Sequence, residues 1–311
     1  MSYLEEIKSG KKTFVFLAKS LRMHGKVKKA RVLLGVKPVK NLEKLCKSKE
    51  SELESRIEDL KGEEDEIYGL LKDPEKKELN LLAERYSEAF KKFDPVTKQK
   101  YLDWFLTQFT YDSNAIEGSN VPLEEVGMIL FDKVVPADRD LREVYEVQNH
   151  KEAFDFINRY GGDLNLKFIL AVHKRLMTKI LRDAGKIRDV RVFVRGSDLK
   201  PPDPKDVEHR LKTLVNWYKA HKSLHPVILA SYVHCEFERT HPFRDGNGRT
   251  GRLIMNYLLT KNGFPPVNIR NEKKRAYYGA LRDWDKGYDK RAFVDLVVSY
   301  IKDSVDYVTK S

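Results

Sequence analysis

One twelve-residue stretch, residues 241–252, constrains the fold of this chain more than any other. It reads His-Pro-Phe-Arg-Asp-Gly-Asn-Gly-Arg-Thr-Gly-Arg. Gly246, Asn247 and Gly248 can adopt positive φ angles at little cost, so successive backbone N–H groups can turn inward as an anion-binding nest. Apolar residues at helical spacing follow directly. The nest therefore lies at a helix N-terminus, where unpaired N–H groups and the helix dipole both favour phosphate.

The charged side chains of this stretch suit the chemistry of a bound phosphate. Arg249 and Arg252 are three residues apart on the first helical turn, so both can reach the same anion. Asp245 places a carboxylate beside the phosphates, and Mg²⁺ needs only one or two such protein oxygens. His241 is the only candidate general base in the stretch, and the pKa of a histidine is ordinarily near neutral. Together these residues predict a nucleotide site with a base and a metal ligand.

The stretch is similar to the signature of the Fic family, His-Pro-Phe-x-Asp/Glu-Gly-Asn-Gly-Arg-x-x-Arg, at every specified position. The resemblance extends over roughly residues 95–300. It implies a mainly α fold, in which a helical core carries a β-hairpin flap. It also implies a protein adenylyltransferase that moves AMP from Mg-ATP to a Ser, Thr or Tyr hydroxyl, either of a target protein or of the chain itself. The alternatives are removal of AMP and transfer from another donor that supplies UMP or phosphocholine.

The resemblance assigns roles to the residues of the motif. His241 would deprotonate the target hydroxyl, and Asp245 would hold Mg²⁺ as the cofactor, with ATP as the substrate. Arg252 would orient the γ-phosphate. The residues implied to bind phosphate are Gly246, Asn247, Gly248, Arg249 and Arg252.

Two segments outside the motif are further site candidates. Residues 190–197 alternate valine with other side chains and predict a short strand or hairpin, which resembles the flap that captures a target segment by strand pairing. The candidates there are Val192, Val194, Gly196 and Ser197. Tyr277 and Tyr278 fall on a helix after the motif, where they either flank the adenine or pack in the core.

Residues 113–118, Ser-Asn-Ala-Ile-Glu-Gly, resemble the inhibitory motif of the family. They end a helix that the Asp94-Pro95 cap predicts, and the inhibitory part covers about residues 105–118. Ser113, Glu117 and Gly118 are the implied inhibitory residues, because a contact between Glu117 and Arg252 would exclude the γ-phosphate. By itself the pattern is also an ordinary helix ending. Glu117 could instead orient a water molecule that removes AMP.

The first ninety residues lie outside the resemblance. Two β-favouring runs within residues 13–35 predict a hairpin. After Asn41 apolar residues recur at spacings of three and four, which predicts a helix that forms either a coiled-coil arm or a segment folded back on the core. We therefore divide the chain into a basic N-terminal hairpin and helical arm, residues 1–92, and a Fic catalytic domain, residues 93–311.

Charge is concentrated at the N-terminus. Residues 1–50 hold fourteen Lys and Arg against four Asp and Glu, which gives +10 of the total +12. A nucleic acid or an acidic partner would bind there, unless the segment is simply a solvated basic face. No apolar run reaches the roughly 20 residues needed to span a bilayer. The N-terminus lacks a secretory signal, so we expect a cytoplasmic protein without a membrane partner. A homodimer is a further expectation from the family.

Overall fold

The chain divides into two compact units, Met1–Leu70 and Leu71–Ser311. The structure is a computed structural model, and it describes residues 2–23, 26–194 and 199–310. Sequence analysis placed the division after residue 92. The structure places it earlier, because the helix Asp73–Lys92 packs against the last helix of the chain within the second unit.

The first unit contains a three-stranded antiparallel sheet in the order β1-β2-β3, formed by β1 (Tyr3–Ser9), β2 (Lys12–Met23) and β3 (Lys26–Val36). Strands β2 and β3 form the predicted hairpin, with Met23 opposite Lys26. Residues 24 and 25, which follow β2 in the sequence, lie outside the described residues. Strand β1 was not predicted, because its residues are mostly exposed and two of them are glutamates. Its Glu5 carboxylate binds Lys29 and Arg31 on β3.

The helix α1 (Leu42–Gly69) covers one face of this sheet. Leu53 and Ile57 on α1 are buried in one apolar cluster with residues of β2 and β3, among them Val15 and Val32. Of the two predicted arrangements, the structure therefore shows a helix packed on a core rather than a free coiled-coil arm. The apolar stripe is narrow because only one face of α1 contacts the sheet.

The second unit is helical throughout its regular structure, which confirms the mainly α fold class. No helix in the described part of the chain is long and apolar enough to cross a bilayer. Besides the short turns Met128–Asp132 and Asn271–Lys273, its helices are α2 (Asp73–Lys92), α3 (Pro95–Ile116), α4 (Leu123–Gly127), α5 (Leu141–Arg159), α6 (Leu166–Met177), α7 (Pro204–Ala220), α8 (Pro226–Thr240), α9 (Asn247–Lys261), α10 (Lys274–Lys286) and α11 (Arg291–Lys310).

Helix α9 is the central helix of this unit. Every residue from Asn247 to Leu259 is buried, including both arginines of the first turn. Helices α3, α5, α6 and α8 all pack against it. A helix enclosed on every side cannot shift easily, so the groups at its N-terminus are held in fixed positions.

The predicted flap hairpin is not formed by the described residues, since residues 190–194 and 199–203 contain no strand. The side chain of Arg188 instead joins the two ends of this segment. Its guanidinium donates to the carbonyl oxygen of Val190 at 2.9 Å and to that of Pro202 at 2.7 Å. Hydrogen bonds from one side chain, rather than backbone hydrogen bonds between two strands, therefore connect Val190 and Pro202. Gly196 and Ser197 lie outside the described residues.

Shortening Leu53 to alanine should lower the free energy of unfolding of the first unit by about 2–5 kcal/mol, because it leaves a cavity beneath the sheet. Native-state hydrogen exchange of the amides of β2 and β3 measures this change. Glu54→Ala, at the exposed neighbouring position of α1, is the matched control and should change the same value by less than about 0.5 kcal/mol. Equal losses in the two variants would contradict the packing of α1 on the sheet.

Candidate nucleotide site

The turn between α8 and α9 is closed by its own side chains. Helix α8 ends at Thr240 and is capped by His241, whose φ of 46° lies in the left-handed region; Gly246 also has a positive φ, of 75°. The side chain of Asn247 accepts from the backbone N–H of Phe243 and donates to its carbonyl oxygen, both at 2.9 Å. Phe243 is fully buried. The backbone that presents the anion-binding groups is thus preformed.

His173 on α6 supports this turn from below, although no sequence pattern had indicated it. Its ring stacks on Phe243 with 3.6 Å between centroids. Its Nδ1 accepts from the backbone N–H of Gly185 at 2.9 Å, so Nε2 carries the proton and donates to the carbonyl oxygen of Asp245 at 3.0 Å. Burial lowers the pKa of His173 to about 4, which keeps the ring neutral.

The N-terminus of α9 forms the predicted anion cradle. The first hydrogen bond of the helix runs from the N–H of Thr250 to the carbonyl oxygen of Gly246, at 3.0 Å. The N–H groups of the three residues 247–249 precede that bond and are the helix donors that an anion can use. A Cβ atom added to Gly248 would overlap with Oε1 of Glu117. The Glu117 carboxylate therefore lies directly against the predicted cradle.

Arg252 is held by two of the three predicted inhibitory residues, Ser113 on α3 and Glu117 at its C-terminal end. Its Nη2 donates to Oε1 of Glu117 at 2.8 Å, and its Nε donates to Oγ of Ser113 at 2.8 Å. The carbonyl oxygen of Ser113 also accepts from Nη2. Only 1% of the Arg252 side chain is exposed. The structure thus joins the inhibitory motif to the arginine proposed to orient the γ-phosphate.

The end of α3 fixes the position of Glu117. Gly118 has a φ of 101°, and its N–H donates to the carbonyl oxygen of Ala115. The N–H of Ser119 donates to the carbonyl oxygen of Asn114. This pair of bonds is the Schellman motif, which requires a left-handed residue where Gly118 stands. Gly118 therefore ends the helix one residue after Glu117 and holds that carboxylate at the cradle.

Arg249 and Asp245 are tied to two α5 residues that sequence analysis did not identify, Glu146 and Arg142. Nη1 of Arg249 lies 3.2 Å from Oε1 of Glu146, and its Nη2 lies 3.5 Å from Oδ1 of Asp245. Nη2 of Arg142 contacts the other oxygen of Asp245 at 2.8 Å. Both residues of α5 are ordinary helix-surface residue types at i and i+4, so no local pattern distinguished them.

The donor set at Asp245 fits a magnesium ion bound together with a nucleotide. Among residues 2–23, 26–194 and 199–310, no three His, Cys, Asp or Glu side chains converge to hold a metal by themselves. Asp245 supplies one carboxylate, 39% exposed, at the edge of the cradle. Mg²⁺ is commonly held by one or two carboxylates, and phosphate oxygens and water complete its six ligands.

His241 is available as a neutral base. Burial, as the largest cause, lowers its pKa to about 4, so the ring is uncharged at neutral pH. Its Nδ1 is buried and has no hydrogen-bond partner among the described residues. Its carbonyl oxygen accepts from Nε of Arg188 at 2.8 Å. A neutral imidazole fixed through its backbone can accept a proton from a hydroxyl brought to it.

A cavity of about 680 Å³ joins these groups. Glu117, His241 and Arg252 line it, and so does Val194 of the predicted flap, whereas Val192 does not. Phe193, which sequence analysis did not select, also lines the cavity and is 93% exposed. An exposed aromatic side chain at the mouth of a cavity suits contact with another molecule.

The two tyrosines proposed to flank the adenine have different surroundings. Tyr277 is 1% exposed, and its hydroxyl is 2.9 Å from Nε2 of His234. Its ring lies 5.9 Å from Cζ of Arg252 and packs against that guanidinium. Tyr278 lines the cavity with 46% of its surface exposed, and its hydroxyl donates to the carbonyl oxygen of Ile116. Tyr277 lines the cavity as well. Both tyrosines therefore remain candidates for contact with the base, and Tyr277 also supports Arg252.

Glu238 is a further buried carboxyl group that sequence analysis did not single out. Burial, and then the charge of Glu117, raise its pKa to about 8, so it is mostly protonated at neutral pH. It lies beside Gly251, where an added Cβ atom would be 2.5 Å from Oε1 of Glu238 and 3.1 Å from Nδ1 of His234. The absence of a side chain at residue 251 thus makes room for this group next to Arg252.

The comparison with known proteins agrees with this geometry. The sequence pattern of the Fic/DOC family matches residues 163–259, which include the cradle, His241 and both arginines. The protein adenylyltransferase Fic of Nematostella vectensis is 34% identical over 206 residues, which cover 64% of this chain and 48% of that protein. This chain belongs to the Fic/DOC family.

Other family members show the same fold over most of the second unit. The structure of Fic-1 from Caenorhabditis elegans has a TM-score of 0.65 at 26% identity and covers 88% of this chain and 78% of that one. A Fic-domain signaling protein from Bacteroides thetaiotaomicron has a TM-score of 0.68 at 23% identity, covering 75% of this chain and 96% of that one. This chain spans about half the length of the curated Nematostella relative it matches.

The stability of the second unit should fall as the pH is lowered from about 6.5 to 4. Burial lowers the pKa of His150 to about 3, whereas the pKa of an unfolded histidine is about 6.5. Below pH 6.5 the unfolded chain therefore binds more protons, which lowers the free energy of unfolding by up to about 1.4 kcal/mol per pH unit. In His150→Asn the free energy of unfolding, measured by urea unfolding between pH 4.5 and 7.5, should change less steeply with pH than in wild type. His209→Asn, exposed on α7, should keep the wild-type slope; an unchanged slope in both variants would contradict the assignment.

Two glycine-to-alanine changes in helices should have opposite effects on stability. Gly251→Ala should lower the free energy of unfolding by about 1–3 kcal/mol, because its methyl group would collide with Glu238 and His234. At Gly279 on α10 an added Cβ would meet only Nη2 of Arg282, at 3.9 Å. Gly279→Ala should therefore raise stability by about 0.5–1 kcal/mol, the usual helix preference for alanine. Denaturant unfolding followed by tryptophan fluorescence measures both, and stabilisation by Gly251→Ala would refute the close contact.

Proposed function

We propose that this chain is a protein adenylyltransferase that moves AMP from ATP to a Ser, Thr or Tyr hydroxyl of a protein, and that Glu117 inhibits it. The convergence of a phosphate cradle, a neutral base and a carboxylate on one cavity carries the proposal. Relatives that are 31–34% identical over 205–242 residues bear the name protein adenylyltransferase. The cavity also suits the size of a nucleotide.

The proposed reaction uses each group of the site once. The N–H groups at the start of α9 and the Arg249 guanidinium bind the phosphates. His241 accepts the proton of the target hydroxyl as its oxygen attacks the α-phosphorus, and the bond from that phosphorus to pyrophosphate breaks. Asp245 would hold Mg²⁺, which when bound neutralises charge on the phosphates. The protein mainly positions the reactants and stabilises charge.

Autoinhibition follows from competition between two anions for Arg252. In the structure the Glu117 carboxylate accepts a hydrogen bond from Nη2 of Arg252 at 2.8 Å and lies over Gly248. A γ-phosphate needs the same guanidinium, and two anions cannot occupy one desolvated place. ATP could then bind only in a pose in which its outer phosphate misses Arg252, and the α-phosphorus would not face the incoming hydroxyl.

We further propose that residues 190–197 receive the target segment by main-chain pairing. The described part of this segment lies at the cavity but is not paired with another strand of residues 2–23, 26–194 and 199–310. An extended peptide could therefore supply the missing partner strand. Val194, Phe193 and the proposed residues Gly196 and Ser197 would contact that peptide.

The decisive experiment measures label transfer from ATP labelled on the α-phosphate, in Mg²⁺ and in the presence of cell lysate. Glu117→Gly should increase protein labelling at least about tenfold over wild type, since the γ-phosphate then gains Arg252. Adding His241→Ala to Glu117→Gly should abolish that labelling. Ser113→Ala should raise labelling less than Glu117→Gly, because it removes one contact that orients Arg252 but leaves the competing carboxylate.

Glu124→Gln, at an exposed position of α4, is the matched control and should label as wild type does. If no variant labels any protein, transfer of AMP from ATP is refuted. In that case the donors of UMP or phosphocholine and the release of AMP from labelled protein become the reactions to assay. Labelling that increases equally in Glu124→Gln would refute the specific role of Glu117.

The basic sheet of the first unit allows a different kind of function, the binding of a nucleic acid or an acidic partner. The structure reduces the charge available for it, because Glu5 pairs with Lys29 and Arg31, and Glu6 pairs with Lys37. Loss of binding with rising salt would support this function, and salt-independent binding would not.

A further inference from the structure

A second cavity, of about 470 Å³, lies on the other face of the inhibitory helix α3. The α3 residues that line it run from Tyr101 to Asp112 at spacings of one, three and four, so they share one face of the helix. Ser113 and Glu117 point away from that face, since each residue turns a helix by about 100°. One helix therefore separates this cavity from Arg252.

The walls of the second cavity are aromatic. Trp104 on α3 and Tyr307 on α11 stack with 3.9 Å between ring centroids, and they are 38% and 42% exposed. Tyr101 and Tyr300 also line the cavity. The faces of tryptophan and tyrosine rings attract cations when the charge lies within about 6 Å of the ring centre.

Asp112 is a buried carboxyl group at this cavity, with only 7% of its surface exposed. Its two oxygens accept from the backbone N–H of Asn271 at 2.8 Å and from the side-chain amide of Asn268 at 2.6 Å. Both donors are uncharged, and within the residues that the structure describes Asp112 has no ion-pair partner. Burying a carboxylate without a cation is unfavourable, and burial accordingly raises the pKa of Asp112.

The remaining charged groups of the cavity leave an excess of negative charge. Arg270 is the basic side chain among the lining residues, and it contacts Asp303 at 3.1 Å and Glu272 at 3.7 Å. The single arginine thus pairs with two other carboxylates and acts on Asp112 only at a distance, while the hydrogen-bond donors to Asp112 are neutral. A ligand that fills this cavity gains most if it carries a positive charge.

We propose that this cavity binds a small organic cation, an alkylamine or a quaternary ammonium group. The cation would lie against the rings of Trp104 and Tyr307 and supply the opposite charge that Asp112 lacks. Aromatic faces combined with a carboxylate are the usual protein surroundings of such ligands. This binding would occur whether or not the chain has the proposed adenylyltransferase activity.

A regulatory consequence rests on the proposed function. Asp112 directly precedes Ser113, so a ligand bound to Asp112 holds the arrangement of α3 in which Ser113 and Glu117 contact Arg252. A ligand shifts an equilibrium toward the state that it binds better. The cation should therefore strengthen autoinhibition, and by linkage a nucleotide that displaces Glu117 should weaken binding of the cation.

Isothermal titration calorimetry of the full chain at pH 8 and constant ionic strength tests the binding step. The probes are tetramethylammonium and 1,4-diaminobutane, with uncharged 1,4-butanediol as the matched control. We expect both cations to bind and the diol not to bind. Asp112→Asn, which keeps an acceptor for Asn271, should weaken binding at least about tenfold. Asp306→Asn, at an exposed acid of α11 outside the cavity, should bind as wild type does.

Trp104→Leu provides a second variant in case Asp112→Asn does not fold. Trp104 is partly exposed, so its replacement removes one aromatic ring that lines the cavity without leaving a hole in the core. It should weaken tetramethylammonium binding while circular dichroism stays unchanged. Binding of neither cation, equal binding of the diol, or wild-type binding by the folded variants overturns the proposal. Label transfer with and without 1,4-diaminobutane then tests regulation. Bound cation without an effect on active enzyme overturns only the regulatory step, whereas absent transfer in Glu117→Gly refutes the proposed function.

Discussion

Two buried guanidinium groups set the requirements for the second unit. Arg249 and Arg252 are 2% and 1% exposed. A buried cation without acceptors is strongly unfavourable, so other elements must bring oxygens to it. Helix α3 brings Ser113 and Glu117, and helix α5 brings Glu146. The helices that enclose α9 are thus selected by charge as well as by apolar packing. In the structure the Glu117 carboxylate is the counterion of Arg252, and this ion pair makes burial of the guanidinium less unfavourable.

A second property of the site is that three of its buried titratable groups are neutral. Burial keeps His173 and His241 uncharged, and it keeps Glu238 mostly protonated. Each of these groups lies close to an arginine or to a group bound to one. The two arginines beside them are paired with the carboxylates of Glu117, Glu146 and Asp245, and at the low dielectric of this buried site such interactions between charges are stronger than in water. The proposed affinity for phosphate would therefore depend on these carboxylates as well as on the arginines themselves.

Sequence reasoning succeeded where the chemistry is continuous along the chain. The cradle, His241 and both arginines lie within twelve residues, and helix caps located α3 and its end at Gly118. It did not find Arg142, Glu146, His173 or Arg188, because each acts through a partner more than fifty residues away, and nothing local distinguishes it from a surface or core residue. Strand β1 was missed for a related reason, since its exposed charged side chains are explained only by the strand beside it. The flap hairpin was expected from alternating valines, but Arg188 holds the ends of that segment instead.

Arg188 also bears on which hydroxyl of a target protein would be selected. Arg188 donates to the carbonyl oxygens of His241, Val190 and Pro202, so one rigid planar group joins the proposed base to the chain on both sides of the proposed target-binding segment. A peptide that pairs with the segment would then lie at a fixed distance from His241. With this distance fixed, the position of a hydroxyl along the extended peptide would decide whether it reaches His241. The identity of the neighbouring side chains would matter little. Substrates with unrelated sequences could share this site, provided that each offers a flexible strand with its hydroxyl at the right position.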